Sequence, residues 1–419
     1  MFDRPNKIYR EFPRLFWVVV AVSFIDRVGG TLLFPFLSLY ITQRFNVGMT
    51  QAGALLGLSS LFGLIGSTIG GALTDKFGRK QLILFGLVFS ALSSLTLGFA
   101  DRISIMYPLM VFVGLLSNIA HPAHDAMIAD ILPENKRQEG FGILRVAGNL
   151  AWMIGPTIGG FLADKNFFYL FVIDAVVSCF VAVLIFRLIP ETKPEAHAHA
   201  ESESLLQTVI GYRVAVRDFA FMAFITANVL MLLVYQQMYN SLSVYLRDNH
   251  GIDPSGYGFL MTVSAITVVV FQFWVSRLIK HRPPFLMMAL GTVFYMIGFT
   301  LFGVFAAYVL FALNIVIITI GEMIVVPTSQ TIAANFAPEA MRGRYMAMFG
   351  LSWSIPSVVG AYLAGTILDN YNPNLLWYVG GAICGLSVLA YYALHLRLGT
   401  RQQFIPVKEE AIHLEATAD

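Results

Sequence analysis

The stretch LFPFLSLYITQRFNVGMTQAGALL, Leu33 to Leu56, returns 205 positions later as MYNSLSVYLRDNHGIDPSGYGFLM, Met238 to Met261. Leu37, Ser38, Tyr40, Gly53 and Leu55 meet Leu242, Ser243, Tyr245, Gly258 and Leu260. The same step carries ADILPENKR, from Ala129, onto ANFAPEAMR, from Ala334, with Ala, Pro, Glu and Arg coinciding. Chance likeness among apolar helices accounts for shared leucine and alanine, but not for matching polar loops at one spacing. The chain is an internal duplication. A smaller step of 201 pairs Trp152 and Gly159 with Trp353 and Gly360.

Composition identifies the solvent of this duplicated fold. Of 419 residues, 57% are hydrophobic and 12% charged, against roughly 25% charged in an ordinary soluble domain. So few charges cannot cover a water-facing surface of this size. The 35 glycines and 35 phenylalanines fit lipid-facing helices whose backbones approach closely. A formal charge of +2 gives no sign of nucleic-acid binding. Cys179 and Cys384 lie in apolar runs, which argues against a disulfide framework or a thiolate metal site.

About 20 apolar residues cross a bilayer core, and twelve runs approach that length. They are 15–40, 50–73, 81–100, 104–128, 141–163, 167–189, 218–246, 255–279, 285–303, 305–331, 345–367 and 374–396. The first is too long for a signal-peptide core and reads as a spanning helix. The expected fold is an all-α membrane protein of twelve transmembrane helices. Two six-helix halves, 1–189 and 218–396, are joined by a linker at 190–217 and followed by a tail at 397–419.

Basic residues set the orientation. With the N-terminus inside, the cytoplasmic segments hold 21 Lys and Arg, and the opposite side has only Arg44, Arg102, Lys165 and Arg247. Both termini are expected in the cytoplasm and the chain in the cytoplasmic membrane. The polar interruption PETKPEAHAHAESESL, Pro190 to Leu205, reads as a flexible linker. Its His197 and His199 lie among Glu195, Glu201 and Glu203, but nothing fixes a metal geometry there, and no metal site is expected.

Between the second and third spans lies GALTDKFGRK, Gly71 to Lys80. It is a tight turn in which Gly78 relaxes the backbone, Asp75 sits at a helix end, and Arg79 and Lys80 follow. Such charges can be plain interface anchors, or they can latch onto a neighbouring helix terminus and carboxylate. The turn resembles the signature G-x-L-x-D-R-x-G-R-K of the major facilitator superfamily, with Lys76 in place of one arginine. The resemblance covers essentially the whole chain. It implies a gate in which Arg79 pairs with a carboxylate at the end of the fourth span, Asp130 first and Asp125 second.

In the fifth span GPTIGG, Gly155 to Gly160, resembles the antiporter motif of drug/proton exchangers in that superfamily. Pro156 bends the helix, while Gly155, Gly159 and Gly160 offer a flat face for close packing. That branch carries R-x-x-Q-G in the fourth span, and here MVFVG, Met110 to Gly114, puts a methionine where the arginine tied to proton coupling belongs.

Ionisable groups at bilayer depth are functional candidates by default. Glu322 in GEMIVVPTSQ, Gly321 to Gln330, resembles a G-E-x-x-x-x-P segment of multidrug antiporters that contributes to the substrate cavity. It can exchange a proton and, when ionised, attract a cation, or it can be a hydrogen-bonded structural group. Asp26 and Arg27 adjoin in the first span and point about 100° apart, so one addresses the cavity and the other a partner helix. Arg145 either supplies the missing positive charge or pairs with Asp130, and Asp174 reads as a structural hydrogen-bonder. His121 and His124 beside Asp125 suit a pH-sensing role or a plain helix-end position. Asn149, Trp152, Tyr235, Gln236, Tyr239, Asn240 and Trp353 are candidate cavity linings for hydrophobic, cationic molecules.

The function expected is proton-driven export of amphiphilic small molecules by alternating access. The alternative is a facilitator or symporter for a metabolite such as a sugar or amino acid. No Ser/His/Asp set, phosphate-cradling loop or HExxH supports an enzyme. The expected partners are the substrate, protons and membrane lipid, with no cofactor beyond the proton gradient and a monomeric state.

Overall fold

The computed structural model describes residues 9, 11–193, 214–338, 341–401 and 404, leaving aside the side chains at 75, 135, 138, 342 and 343. Among the described residues there is no strand, and twelve helical stretches are long and apolar enough to cross a membrane. In order these are Arg14–Phe45, Met49–Thr74, Arg79–Phe99, Ile103–Ile131, Glu139–Lys165, Phe168–Leu188, Phe219–Asn240, Pro254–Ile279, Pro284–Phe302, Tyr308–Phe336, Arg344–Asn370 and Leu375–Leu398. In lipid a spanning segment has no water for its backbone groups, and a helix pairs them within itself.

The seventh run is shorter than its apolar stretch suggests. It ends at Asn240 rather than 246, because the chain turns at Ser241 and restarts as a separate helix, Leu242–His250. The first span is likewise interrupted: Pro35 lacks an N–H, and Phe34–Phe36 tighten into a 3-10 turn before the helix Leu37–Phe45. The fourth is broken between Ser117 and His121, with Pro122 at the start of the second piece.

The duplication is visible in helix ends. Ile103–Ile131 and Tyr308–Phe336 start and stop 205 positions apart, as do Arg137–Lys165 and Arg342–Asn370. Leu37–Phe45 and Leu242–His250 do so as well, and each ends at a left-handed residue, Asn46 at φ 51° and Gly251 at φ 63°. Since the fifth and eleventh spans keep the 205 step, the 201 step places Trp152 and Trp353 about one helical turn out of register.

The described residues form two compact units: Met1–Ala200 with Tyr239–Thr262, and Glu201–Met238 with Val263–Asp419. In the first, the helix Arg14–Leu33 packs on the fifth and sixth spans, the second span on the fourth, and the third on the sixth. The second and fourth approach so closely that a Cβ on Gly66 or Gly114 would fall on the backbone of Leu115 or Ser59. Phe16, Ile83, Met127 and Ile185 fill its core.

In the second unit the ninth span packs on the tenth and twelfth, and the seventh on the eleventh and twelfth. Asp218 opens the seventh span as its N-cap, accepting from the Ala220 and Phe221 backbone N–H groups at 3.1 Å. Phe224, Phe285, Phe336 and Tyr391 make an aromatic core there.

Candidate functional site

The turn after the second span is built around one backbone conformation. Gly78 has φ 94° and ψ 165°, where side chains are strained, and a Cβ there would stand 2.7 Å from the Glu191 carboxylate. Arg79 follows and donates through Nε to Asp130 Oδ2 at 2.9 Å, with side-chain exposures of 11% and 20%. Lys80 Nζ donates to the Phe186 carbonyl at 2.9 Å, at the end of the sixth span. Asp125 is elsewhere, 3.8 Å from His121. Of the two carboxylates considered for Arg79, Asp130 is the one at hydrogen-bond distance. Gly71 has open space where a Cβ would go, and the Asp75 side chain lies outside the described residues.

Sequence reading passed over Glu191. Its carboxylate accepts the backbone N–H groups of Arg79 at 2.9 Å, Lys80 at 3.1 Å, Thr192 at 2.9 Å and Lys193 at 3.0 Å. Desolvation pushes this carboxyl up, but the four donors outweigh it and hold it below its ordinary value. Lys193 Nζ in turn donates to the Lys76 carbonyl at 3.1 Å, and Thr192 Oγ1 lies 3.4 Å from Asp130 Oδ2. The signal was an acid followed by a lysine directly after a span, in a segment read only as linker.

The GPTIGG face meets the first span. A Cβ on Gly155 would run into Thr31, and one on Gly159 into the Leu32 carbonyl and the Phe36 ring. Thr31 Oγ1 crosses the contact to the Ala151 carbonyl at 3.0 Å. Gly160 faces the other way: its Cβ would stand 2.8 Å from the Pro254 carbonyl, and one on Gly258 would stand 2.9 Å from the Pro156 carbonyl.

Two groups of intramembrane charge result. In the first unit Asp26 is half-buried, with Asp174 and Arg27 as charged neighbours. Asp174 is 6% exposed and accepts from the Ser94 hydroxyl. The Arg27 guanidinium lies over Gly148 of the fifth span. Arg145 is exposed on that span. Met110, at the family's arginine position, is 1% exposed and so has no access to water.

In the second unit Glu322 receives a hydrogen bond from the Tyr235 hydroxyl. Tyr235 stacks on Tyr295, with ring centroids 5.3 Å apart, and meets Trp353 edge-on at 6.2 Å. Gln236 Nε2 donates to the Trp353 carbonyl and to Ser357 Oγ, each at 3.0 Å. The remaining cavity candidates belong to the first unit. Trp152 lies edge-on to Tyr239 at 5.0 Å and to Phe34 at 5.9 Å, Asn149 is exposed, and Asn240 is buried. Among the described residues no cluster of metal-ligating side chains occurs, and His197 and His199 lie outside them.

A duplicated twelve-span bundle with this turn has known relatives. The family model of the Major Facilitator Superfamily matches residues 19–361 and 236–416. The chain belongs to the Major Facilitator Superfamily. Within that superfamily it is 26% identical over 379 residues to the Na(+), Li(+), K(+)/H(+) antiporter of Planococcus maritimus, covering 84% of this chain and 88% of that one. It is also 26% identical over 275 residues to multidrug resistance protein 2 of Bacillus subtilis, covering 64% and 67%. Among solved superfamily structures, a POT family transporter in complex with 5-aminolevulinic acid superposes with a TM-score of 0.77. That match has 17% identity and covers 93% of this chain and 97% of the other, a likeness of fold.

Proposed function

We propose that this transporter exports amphiphilic, drug-like molecules in exchange for protons by alternating access. We place it in the cytoplasmic membrane as a monomer, with both termini inside and halves bounded at 1–189 and 218–396. The observation that carries the reading is the Tyr235–Glu322 hydrogen bond set among Tyr295 and Trp353. A carboxyl at bilayer depth has few ways to exist stably: protonated and hydrogen-bonded, or ionised with a cation against it. Aromatic faces favour an organic cation in the second state. Exchange between the two states is proton/cation antiport in its simplest form. The Arg79–Asp130–Glu191 cluster then acts as a latch on the cytoplasmic side.

The test is uptake of a cationic dye panel by the purified protein in liposomes under an imposed pH gradient. Gradient-driven dye movement supports antiport, and movement indifferent to the gradient removes it.

A second reading is exchange of monovalent metal cations for protons. It is favoured by the carboxyl pair Asp26 and Asp174 with the Ser94 hydroxyl, all oxygen groups, and by the named activity of the Planococcus relative. The same liposomes loaded with a pH dye separate the two readings: added sodium or potassium moves protons only in the second.

A further inference from the structure

The first compact unit holds a cavity of about 600 Å³ where the ends of the first and third spans meet the start of the sixth. The third span runs 21 residues from Arg79 to Phe99, about 31 Å at the usual rise. The cavity therefore lies at the membrane face opposite the Arg79 turn. Its volume is that of an ordinary small-molecule site.

The floor is aromatic and fixed. Tyr40 is 5% exposed, lies edge-on to Phe171 with ring centroids 4.7 Å apart, and donates its hydroxyl to the Leu97 carbonyl at 3.0 Å. The lip carries one charge of each sign. Arg44 Nη2 donates to Asp101 Oδ1 at 2.9 Å, with side-chain exposures of 50% and 80%, and the guanidinium also reaches the Tyr40 hydroxyl. Asn166 uses its Oδ1 to accept the Phe168 backbone N–H at 2.9 Å, which leaves its amide NH2 as a further donor in the lining. Phe99, the last residue of its span, is 66% exposed and edge-on to Phe168 at 4.9 Å. An apolar edge thus continues from the charged lip toward the bilayer.

An exposed ion pair adds little to the stability of a fold, so this one opens readily to a ligand that brings a countercharge for each partner. Such a ligand carries an anion and a cation within a few bonds of each other. Phosphate suits Arg44, whose planar fork matches phosphate oxygens, with the Asn166 amide as a second donor. An ionised carboxylate only accepts hydrogen bonds, so Asp101 favours a cation that has N–H groups over a quaternary ammonium, which has none. A phosphate esterified to a primary amino alcohol meets these demands together.

We propose that this cavity binds the phosphoethanolamine headgroup of a membrane lipid. The phosphate sits on Arg44 and Asn166, the ammonium on Asp101, and the acyl chains leave along Phe99 and Phe168. The site is independent of what the protein transports; the orientation proposed above decides only which leaflet supplies the lipid.

The experiment uses full-length protein stripped of lipid in detergent. It is titrated with phosphatidylethanolamine, phosphatidylcholine and phosphatidylglycerol of identical acyl chains, and bound lipid is counted by native mass spectrometry. Phosphatidylethanolamine is expected to bind about tenfold more tightly than phosphatidylcholine, the size of one charge-assisted hydrogen bond. Asp101→Asn abolishes that preference, and Arg44→Gln weakens phosphatidylethanolamine by about the same factor. Both positions are exposed, so neither substitution disturbs the packed interior. Arg102→Gln, at an exposed neighbour outside the lining, leaves the preference unchanged.

Equal binding of the ethanolamine and choline lipids overturns the proposal, as does a preference that survives Asp101→Asn or is lost as fully in Arg102→Gln. Tighter binding of phosphatidylglycerol than of phosphatidylethanolamine overturns it too, because the lip would then read negative charge alone. Soluble glycerophosphoethanolamine separates a lipid from a free zwitterion of the same chemistry. Displacement of the lipid only at large excess supports a lipid site, and displacement at equal concentration overturns the lipid assignment.

Discussion

Glu191 caps the helix that starts at Arg79: its carboxylate accepts the Arg79 backbone N–H at 2.9 Å and that of Lys80 at 3.1 Å. A carboxylate at a helix N-terminus satisfies otherwise orphaned donors and complements the helix dipole. The strap Pro190–Lys193 is thereby tied to the same turn whose arginine holds Asp130. Glu191→Gln is expected to destabilise this corner by about 1 kcal/mol, the usual size of a lost cap. Because its folded pKa lies below the ordinary 4.5, the stabilisation is present above pH 4.5 and disappears as pH falls through the folded value. Melting in detergent checks both parts: wild type exceeds Glu191→Gln at pH 7, and the two converge in acid. A gap that persists at low pH would show that the charge of Glu191 is irrelevant.

The GPTIGG face yields a prediction with an internal control. Gly155→Ala and Gly159→Ala each place a methyl against Thr31 or the Leu32 carbonyl of the first span, where backbone leaves no room to yield. Overpacking of this kind costs about 1–3 kcal/mol. Gly142→Ala, earlier on the same helix, meets nothing within 4 Å and should gain up to about 1 kcal/mol from helix propensity. Unfolding midpoints of the three variants in one detergent decide it. If Gly142→Ala loses as much as Gly155→Ala, close packing is not what these glycines provide.

The twelve spans were legible because lipid imposes one rule, a run of apolar residues, and the duplication was legible because polar loops such as Pro133 and Pro338 recur in step. The partner of Arg79 was narrowed to two carboxylates, Asp130 and Asp125, by the resemblance of the turn to the superfamily signature. Glu191 was not legible: nothing in PETK says that the chain folds back onto a turn 112 residues earlier. Tertiary hydrogen bonds to backbone leave no periodic trace. The division of Tyr235 from Tyr239 was hidden for a related reason. Tyr235 and Tyr239, four residues apart in one apolar run, fall in different compact units whose boundary lies between Met238 and Tyr239, and apolar pattern does not mark that boundary.

Met110 separates this chain from the drug/proton branch it resembles, and its surroundings explain why the arginine is not simply restorable. Its side chain is 1% exposed, and an unpaired guanidinium there carries a desolvation penalty of several kcal/mol. Met110→Arg is expected not to accumulate as folded protein, whereas Met110→Leu conserves volume and should cost less than about 1.5 kcal/mol. Size-exclusion profiles after membrane extraction are the measurement. A monodisperse, transporting Met110→Arg protein would mean that a carboxylate already waits for the arginine.

Glu322 carries the heaviest functional expectation and the sharpest test. Glutamine at this position keeps the side chain's size and leaves an amide oxygen for the Tyr235 hydroxyl, so the packing of Tyr235 on Tyr295 and Trp353 is preserved. What it removes is the proton and the negative charge. Glu322→Gln is therefore expected to melt near the wild-type temperature while gradient-driven dye transport falls about tenfold or more, the loss of one charge interaction made with the bound cation. Whatever transport remains should no longer vary with pH across the range where wild type does. Initial rates in liposomes at a series of internal pH values measure this directly. A variant that keeps the wild-type pH profile would move proton exchange away from Glu322, leaving Asp26 and Asp174 as the carboxyls to examine by the same substitution.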